Sequence, residues 1–336
     1  VHPHQIEIQE FASYALVIDA RSAEAYQEDH VPGAISLPVG APSRAERRNG
    51  LAVPALGVSE AAPSLPYGLA ARVQHLSPGA SVLVYCDRGG LDSLQWAAPL
   101  RAAGFRVDVL GGGWGNYRRW VTAGLEVLPR MLTFRRLVAP PAGGLCLALD
   151  RLVRQGEQVL DVPALAGQEL VPGLTLPGDE TPSQAAFDTR LLEALRHLDP
   201  QRPVWIRDGM AGAEGLVLPP SLRDALLRAT GVQLEIPVPV RAAAWLERLQ
   251  GRGITLTALC EAFSASARPP ASEMLDRWRS LATAGQPIDA LVDIILSYID
   301  AHPRAMDCVD RLRVVRLESL QPRAVAALVH ALRDGT

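Results

Sequence analysis

The sequence predicts an α/β chain of two domains, the first doubly wound and the second α/β with a helical C-terminal extension, and three observations predict it. Short apolar runs that read as buried parallel strands alternate with helix-like runs from residue 14 to about 240. Glycine-bearing loops follow several of these strands, as in strand–loop–helix units. The length, 336 residues, exceeds one ordinary core.

The first series opens with YALVIDA (residues 14–20) as a strand and RSAEAYQEDH (21–30) as a short helix. VPGAISLPV (31–39) supplies a turn at Pro32-Gly33 and a second strand, and residues 41–66 read as a long irregular excursion rich in Pro, Gly and Ala. SVLVY (81–85) is the next buried strand, CDRGG a tight loop, and LDSLQWAAPLRAAG a helix stopped by Gly104. FRVDVLGGGW and GNYRRWVTAG add a further strand, loop and helix.

The second series begins at Met131 with the strand MLTFRRLVA, the loop PPAGG and the helix LCLALDRLVRQG. EQVLDV, PVWIRD and VQLEIPV are three more strands, separated by the helices QAAFDTRLLEALRHL and SLRDALLRAT. From about residue 241 the pattern turns mostly helical, so the domains are expected at 1–130 and 131–336, the latter ending in a helical tail.

Net charge is −3, which excludes a chain held to nucleic acid by bulk charge but leaves local basic patches open. All 33 basic residues are arginine, so chemistry that needs a lysine ammonium is closed to this chain. Hydrophobic residues make up 48%, yet no apolar run reaches bilayer length, and VHPHQIEIQE lacks the features of a secretory leader. A cytoplasmic protein without a membrane partner is expected. The cysteines at 86, 146, 260 and 308 form no CxxC pair and no zinc-ligand spacing, so neither a disulfide framework nor a metal site is expected.

Cys86 ends a strand and opens the loop Cys86-Asp87-Arg88-Gly89-Gly90-Leu91-Asp92-Ser93 before a helix. Unpaired amides and the helix dipole stabilise an anion there and favour thiolate over thiol. Two glycines let the backbone curl around the sulfur, and Arg88 adds positive charge, so Cys86 and Arg88 are the candidate catalytic pair. Gly89, Gly90 and Leu91, with Arg21, are the candidate anion- or substrate-binding groups. The plainer reading is a buried structural cysteine at a strand end.

VIDARSAEAYQEDHVPGAISLP resembles the N-terminal signature of the rhodanese family, and YCDRGGLDS resembles its active-site loop. The resemblance spans about residues 14–120 and puts Asp19, Arg21, His30, Gly33, Ala34 and Pro38 on signature positions and Cys86 on the sulfur-accepting cysteine. It implies that Asp19, Arg21 and His30 mainly brace the fold and the loop. One departure is that the family loop usually closes with Arg-Ser or Arg-Thr, where this chain has Asp92-Ser93.

Four segments look more specifically like tRNA 2-selenouridine synthase: QEDHVPGAISLPV, CDRGG followed by Ser93, GGGWGNYRRW, and TPSQAAFDTRLLEAL with PVWIRD. In that family a rhodanese domain precedes a P-loop domain. The resemblance implies exchange of sulfur for selenium on the wobble 2-thiouridine of tRNA, with selenophosphate as donor and a geranylated intermediate.

The family's phosphate loop, Gly-x-x-Gly-x-Gly-Lys-Ser/Thr, falls on Ala139 to Cys146, where Gly143 and Gly144 remain but Leu145 replaces lysine and Cys146 the hydroxyl. Pro140 and Pro141 remove two amide donors. The second domain is therefore expected to be a degenerate P-loop NTPase-like fold that binds no nucleotide, and no cofactor is expected. Asp208 matches an acidic family position, with a strand-end cap as its plainer role. Arg118-Arg119 and Arg135-Arg136, beside Tyr117, Trp120 and Phe134, are the candidate RNA contacts, or else solvated faces.

These readings make the chain a divergent selenouridine synthase-like transferase that takes sulfur or selenium from a persulfide, thiosulfate or selenophosphate and passes it through Cys86 to tRNA. Two rivals stand beside it. One is a rhodanese-type sulfurtransferase with the second domain as scaffold, and the other is a non-catalytic binding protein.

Overall fold

The structure is a computed structural model that describes residues 8–39, 67–87, 90–140, 145–168, 174–207, 216–266, 268–301 and 312–334. The expected excursion at 41–66 lies outside them. The chain divides into two compact units, Val1–Gly124 with Asp188–Arg190, and Leu125–Phe187 with Leu191–Thr336.

In the first unit β1 (Leu16–Asp19) leads to α1 (Ala23–Glu28), which Ser22 caps by accepting the Ala25 N–H at 3.2 Å. Then come β2 (Ile35–Ser36), α2 (Tyr67–Val73), β3 (Ser81–Tyr85), α3 (Leu91–Ala102), β4 (Arg106–Val109) and α4 (Gly113–Met131), which belongs to this unit as far as Gly124. Among the described residues the four strands form one parallel sheet in the order β2-β1-β3-β4. Ile18, Val82, Val84, Trp96, Leu100 and Cys86 share its core, and the Trp96 indole N–H donates to the Leu37 carbonyl at 2.8 Å. Gly104, at φ 91, makes the left-handed turn after α3 that other residues adopt only under strain.

The helix read as ending at Gly124 runs on through Pro129 to Met131, so the strand expected from Met131 starts only at Phe134. Tyr117, Val121 and Leu125 recur at four-residue spacing and are buried, which outweighs the helix cost of Gly124, about 1 kcal/mol. Pro129 has no N–H for the Leu125 carbonyl. The Ser221 hydroxyl supplies that hydrogen bond instead, at 2.6 Å.

The second unit continues with β5 (Phe134–Val138), α5 (Leu145–Arg154), β6 (Gln158–Asp161), α6 (Val162–Leu165), α7 (Gln184–Arg196), β7 (Val204–Arg207), α8 (Pro220–Arg228) and β8 (Thr230–Glu235). Four helices follow: α9 (Val238–Gly251), α10 (Leu256–Ala265), α11 (Ser272–Thr283) and α12 (Pro287–Ile294), the last extended by a π turn at Ile295–Ile299. They enclose a core of their own that includes Trp245, Phe263, Trp278 and Leu291. The Arg241 guanidinium holds both carboxylate oxygens of Asp300, at 2.7 and 2.8 Å.

The expected helical tail is here corrected. Residues 238–301 are a helical insertion, after which β9 (Arg313–Arg316) pairs with β8 and α13 (Pro322–Asp334) packs on α5. The strand RVVR is an edge strand with three exposed residues of four, so it carries no apolar run to reveal it. Among the described residues the sheet is wholly parallel, ordered β6-β7-β5-β8-β9. β8 lies so close to β5 that a Cβ on Gly231 would sit 2.1 Å from the Arg136 carbonyl oxygen. No helix among the described residues is long and apolar enough to cross a membrane.

Candidate functional site

The site is built at the carboxyl ends of β1 and β3. Asp19 closes β1 and is fully buried, and it is satisfied from three directions. Arg21 donates from its backbone N–H at 2.9 Å and from Nε and Nη2 at 3.0 and 2.7 Å. The Tyr85 hydroxyl donates to Asp19 Oδ2 at 2.6 Å and accepts the Val31 N–H at 3.1 Å. Burial first, and then the neighbouring Asp19 charge, push the Tyr85 phenol far above its ordinary range, so it remains a donor.

Arg21 Nη2 also donates to the Asp29 carbonyl at 2.6 Å, and its guanidinium lies 3.7 Å from the Trp114 ring centroid. Trp114 in turn donates its backbone N–H to the Cys86 carbonyl at 2.8 Å. A connected set of contacts thus runs from β1 through Arg21 and the start of α4 to the cysteine. In this set Arg21 braces the strand ends, and the described contacts of its Nε and Nη2 groups go to Asp19 and Asp29 rather than to an open anion site. His30 also braces, with Nδ1 2.9 Å from the Tyr26 carbonyl and its ring stacked on Tyr26.

Cys86 follows β3 directly, is 3% exposed and belongs to the buried core of this sheet. Its sulfur also receives a hydrogen bond, since the Gly90 N–H donates to Sγ at 3.4 Å. Gly90 is the residue before α3, a 12-residue helix whose free amides and positive dipole end therefore begin beside the sulfur. Asp87 and Asp92 are exposed. Ser93 is fully buried, and its hydroxyl has no hydrogen-bond partner among the described residues. Arg88, Gly89 and the Leu91 side chain lie outside the described residues.

A sulfur placed this way lies where backbone amides and a helix N-terminus favour negative charge. Residues 6–119 match the family model of the rhodanese-like domain. This stretch is a rhodanese-like domain. No curated protein matches the chain. Among solved structures, the crystal structure of the BH2092 protein from Bacillus halodurans is 26% identical over 31% of this chain and 58% of that one, with a TM-score of 0.20. The chain thus spans a little over half the length of that protein.

Outside the rhodanese-like domain the predicted residues are dispersed. Leu145 opens α5 and is 8% exposed, packed with Leu137, Leu149 and Val232, while Cys146 beside it is half-buried. Gly143, Gly144 and Asp208 lie outside the described residues. At the end of β7, Arg207 pairs with Asp161 at 3.1 Å, a contact between neighbouring strands that the separate segments PVWIRD and EQVLDV did not reveal.

The RNA-contact expectation is corrected for part of its residues. Arg136 is 5% exposed within a central strand, and Tyr117 and Phe134 are buried, so these side chains offer no open basic and aromatic surface. Arg118 pairs with Asp29 at 3.0 Å, and the Arg135 guanidinium lies 5.7 Å from the Trp205 ring centroid. Arg119 is exposed, with one hydrogen bond to Asn116 at 3.3 Å. In the helical insertion, burial raises the thiol pKa of Cys260, which makes it a poor nucleophile.

Sequence reasoning found Cys86 but missed Tyr85 and Trp114 as its supports. Trp114 stood in the quoted segment GGGWGNYRRW, yet nothing in that segment marks it as a partner of Arg21.

Proposed function

We propose that the rhodanese-like domain is a sulfurtransferase-type unit that carries sulfur or selenium on Cys86. The supporting observation is the Gly90 N–H donated to Cys86 Sγ at the start of α3. In this reading the amides at the head of α3 hold the charge of the thiolate and then of the outer atom bound to it. Burial keeps water from the loaded sulfur, and the Asp19–Arg21–Tyr85 network fixes the strand ends beneath it. With a persulfide donor and cyanide as acceptor, the purified chain is expected to form thiocyanate in proportion to enzyme. No rate above the uncatalysed reaction would refute the proposal.

Within that class we propose a selenouridine synthase-like role on the wobble 2-thiouridine of tRNA. It is supported by the ordered resemblance over about residues 14–240 and by a second unit whose parallel sheet reverses its crossover direction at β5. Doubly wound sheets bind ligands at such points. The tRNA of a deletion strain is expected to lack 2-selenouridine and to retain 2-thiouridine. Unchanged nucleosides would remove this narrower role and leave the sulfurtransferase reading to stand.

The second unit is proposed to bind no nucleotide. A phosphate-loop lysine contributes charge-assisted bonds of about 1.5–3 kcal/mol each, whereas Leu145 is apolar and belongs to the core. Calorimetry with millimolar ATP or GTP is expected to give no binding heat. Installing lysine alone (Leu145→Lys) is expected to lower stability without creating affinity, because it buries a charge. Saturable binding by the unmodified chain would overturn this expectation.

A further inference from the structure

We infer that Asp87 and Asp92 set the donor class of the Cys86 site, favouring a thiol-bound persulfide of low negative charge over polyanions such as thiosulfate. The inference rests on the proposed role of Cys86 as sulfur carrier. Cys86 is 3% exposed, so a donor must bring its outer sulfur to a nearly buried Sγ. Both carboxylates on that loop are exposed, one directly after the cysteine and one in the first turn of α3. Residues 86–93 hold two acids against one base, Arg88, for a formal charge of −1. The Arg21 cation is already paired with Asp19.

Asp92 is exposed in the first turn of α3, a helix with no side-chain cap. An acid in the first turn stabilises a helix, but at this helix it also competes for the same positive end that would hold an incoming anion. A dianionic donor meets repulsion from both carboxylates, whereas a persulfide with a neutral or zwitterionic carrier, at most singly charged, meets less. Cys86 first releases its proton to water. The thiolate attacks the outer sulfur of R–S–SH, the Sγ–S bond forms as the R–S bond breaks, and R–S⁻ leaves with the electron pair and takes up a proton. Cys86 is left as the persulfide. No external oxidant or reductant is required.

The test measures the rate of sulfur addition to Cys86 by mass spectrometry on the full chain, with thiosulfate or cysteine persulfide as donor, at low and high salt. Asp92→Arg is expected to raise loading from thiosulfate by about tenfold relative to loading from cysteine persulfide. Asp92→Asn is expected to give a smaller gain in the same direction, and both gains shrink at high salt. A donor ratio unchanged in both variants, or gains that ignore salt, would overturn the inference. No loading of the wild-type chain from either donor would instead refute the sulfurtransferase reading, and the inference would fall with it.

Discussion

Cys86→Ser is expected to lower thiocyanate formation by at least about 10³-fold, as loss of a nucleophile does, while the chain stays folded. Serine fits the volume of the cysteine, and its hydroxyl can accept the Gly90 N–H that now reaches Sγ. It cannot carry a second sulfur, because no stable O–S–S⁻ linkage replaces the persulfide. Circular dichroism of the variant should match that of the wild type. A variant that keeps its rate would show that another group carries the sulfur, with Cys146 the first thiol to examine because it is the more exposed of the remaining described cysteines.

Asp19→Ala is expected to destabilise the rhodanese-like domain by about 3–5 kcal/mol, the cost of breaking a buried ion pair from one side. The loss leaves the buried Arg21 guanidinium without its carboxylate and the Tyr85 hydroxyl without its acceptor. Hydrogen exchange of the full chain should show faster exchange at the amides of β1 and β3. Asp92→Ala, at an exposed position, should change stability by about 0.5 kcal/mol or less. If Asp19→Ala exchanged like the wild type, the network would not be what holds the strand ends.

The contrast between these two aspartates shows what the sequence made legible. Asp19 and Cys86 both end short apolar runs and both fall in segments with a family likeness, so their positions at strand ends were readable from pattern alone. The links between them were not. Tyr85 reads as the last residue of a strand and Trp114 as part of a glycine-rich segment, and only the parallel register of β1 with β3 brings Tyr85 opposite Asp19.

In the second unit the strand–loop–helix order was visible, but three features depended on contacts far apart in the chain. Pro129 stays helical because Ser221, 92 positions later, donates to the Leu125 carbonyl that proline leaves unbonded. β9 is exposed along most of its length and becomes a strand only through pairing with β8. Arg136 looked like a basic surface residue because charge is the dominant signal of its side chain in sequence, yet its strand lies at the centre of the sheet, where it is buried.

Peptide mass spectrometry of the native chain after incubation with cysteine persulfide shows whether Cys86 is the sulfur carrier. The mass of one added sulfur is expected on the peptide containing Cys86, removed by cyanide and absent from the peptides containing Cys146 and Cys260. An unmodified Cys86 peptide, or added sulfur confined to Cys146, would contradict it.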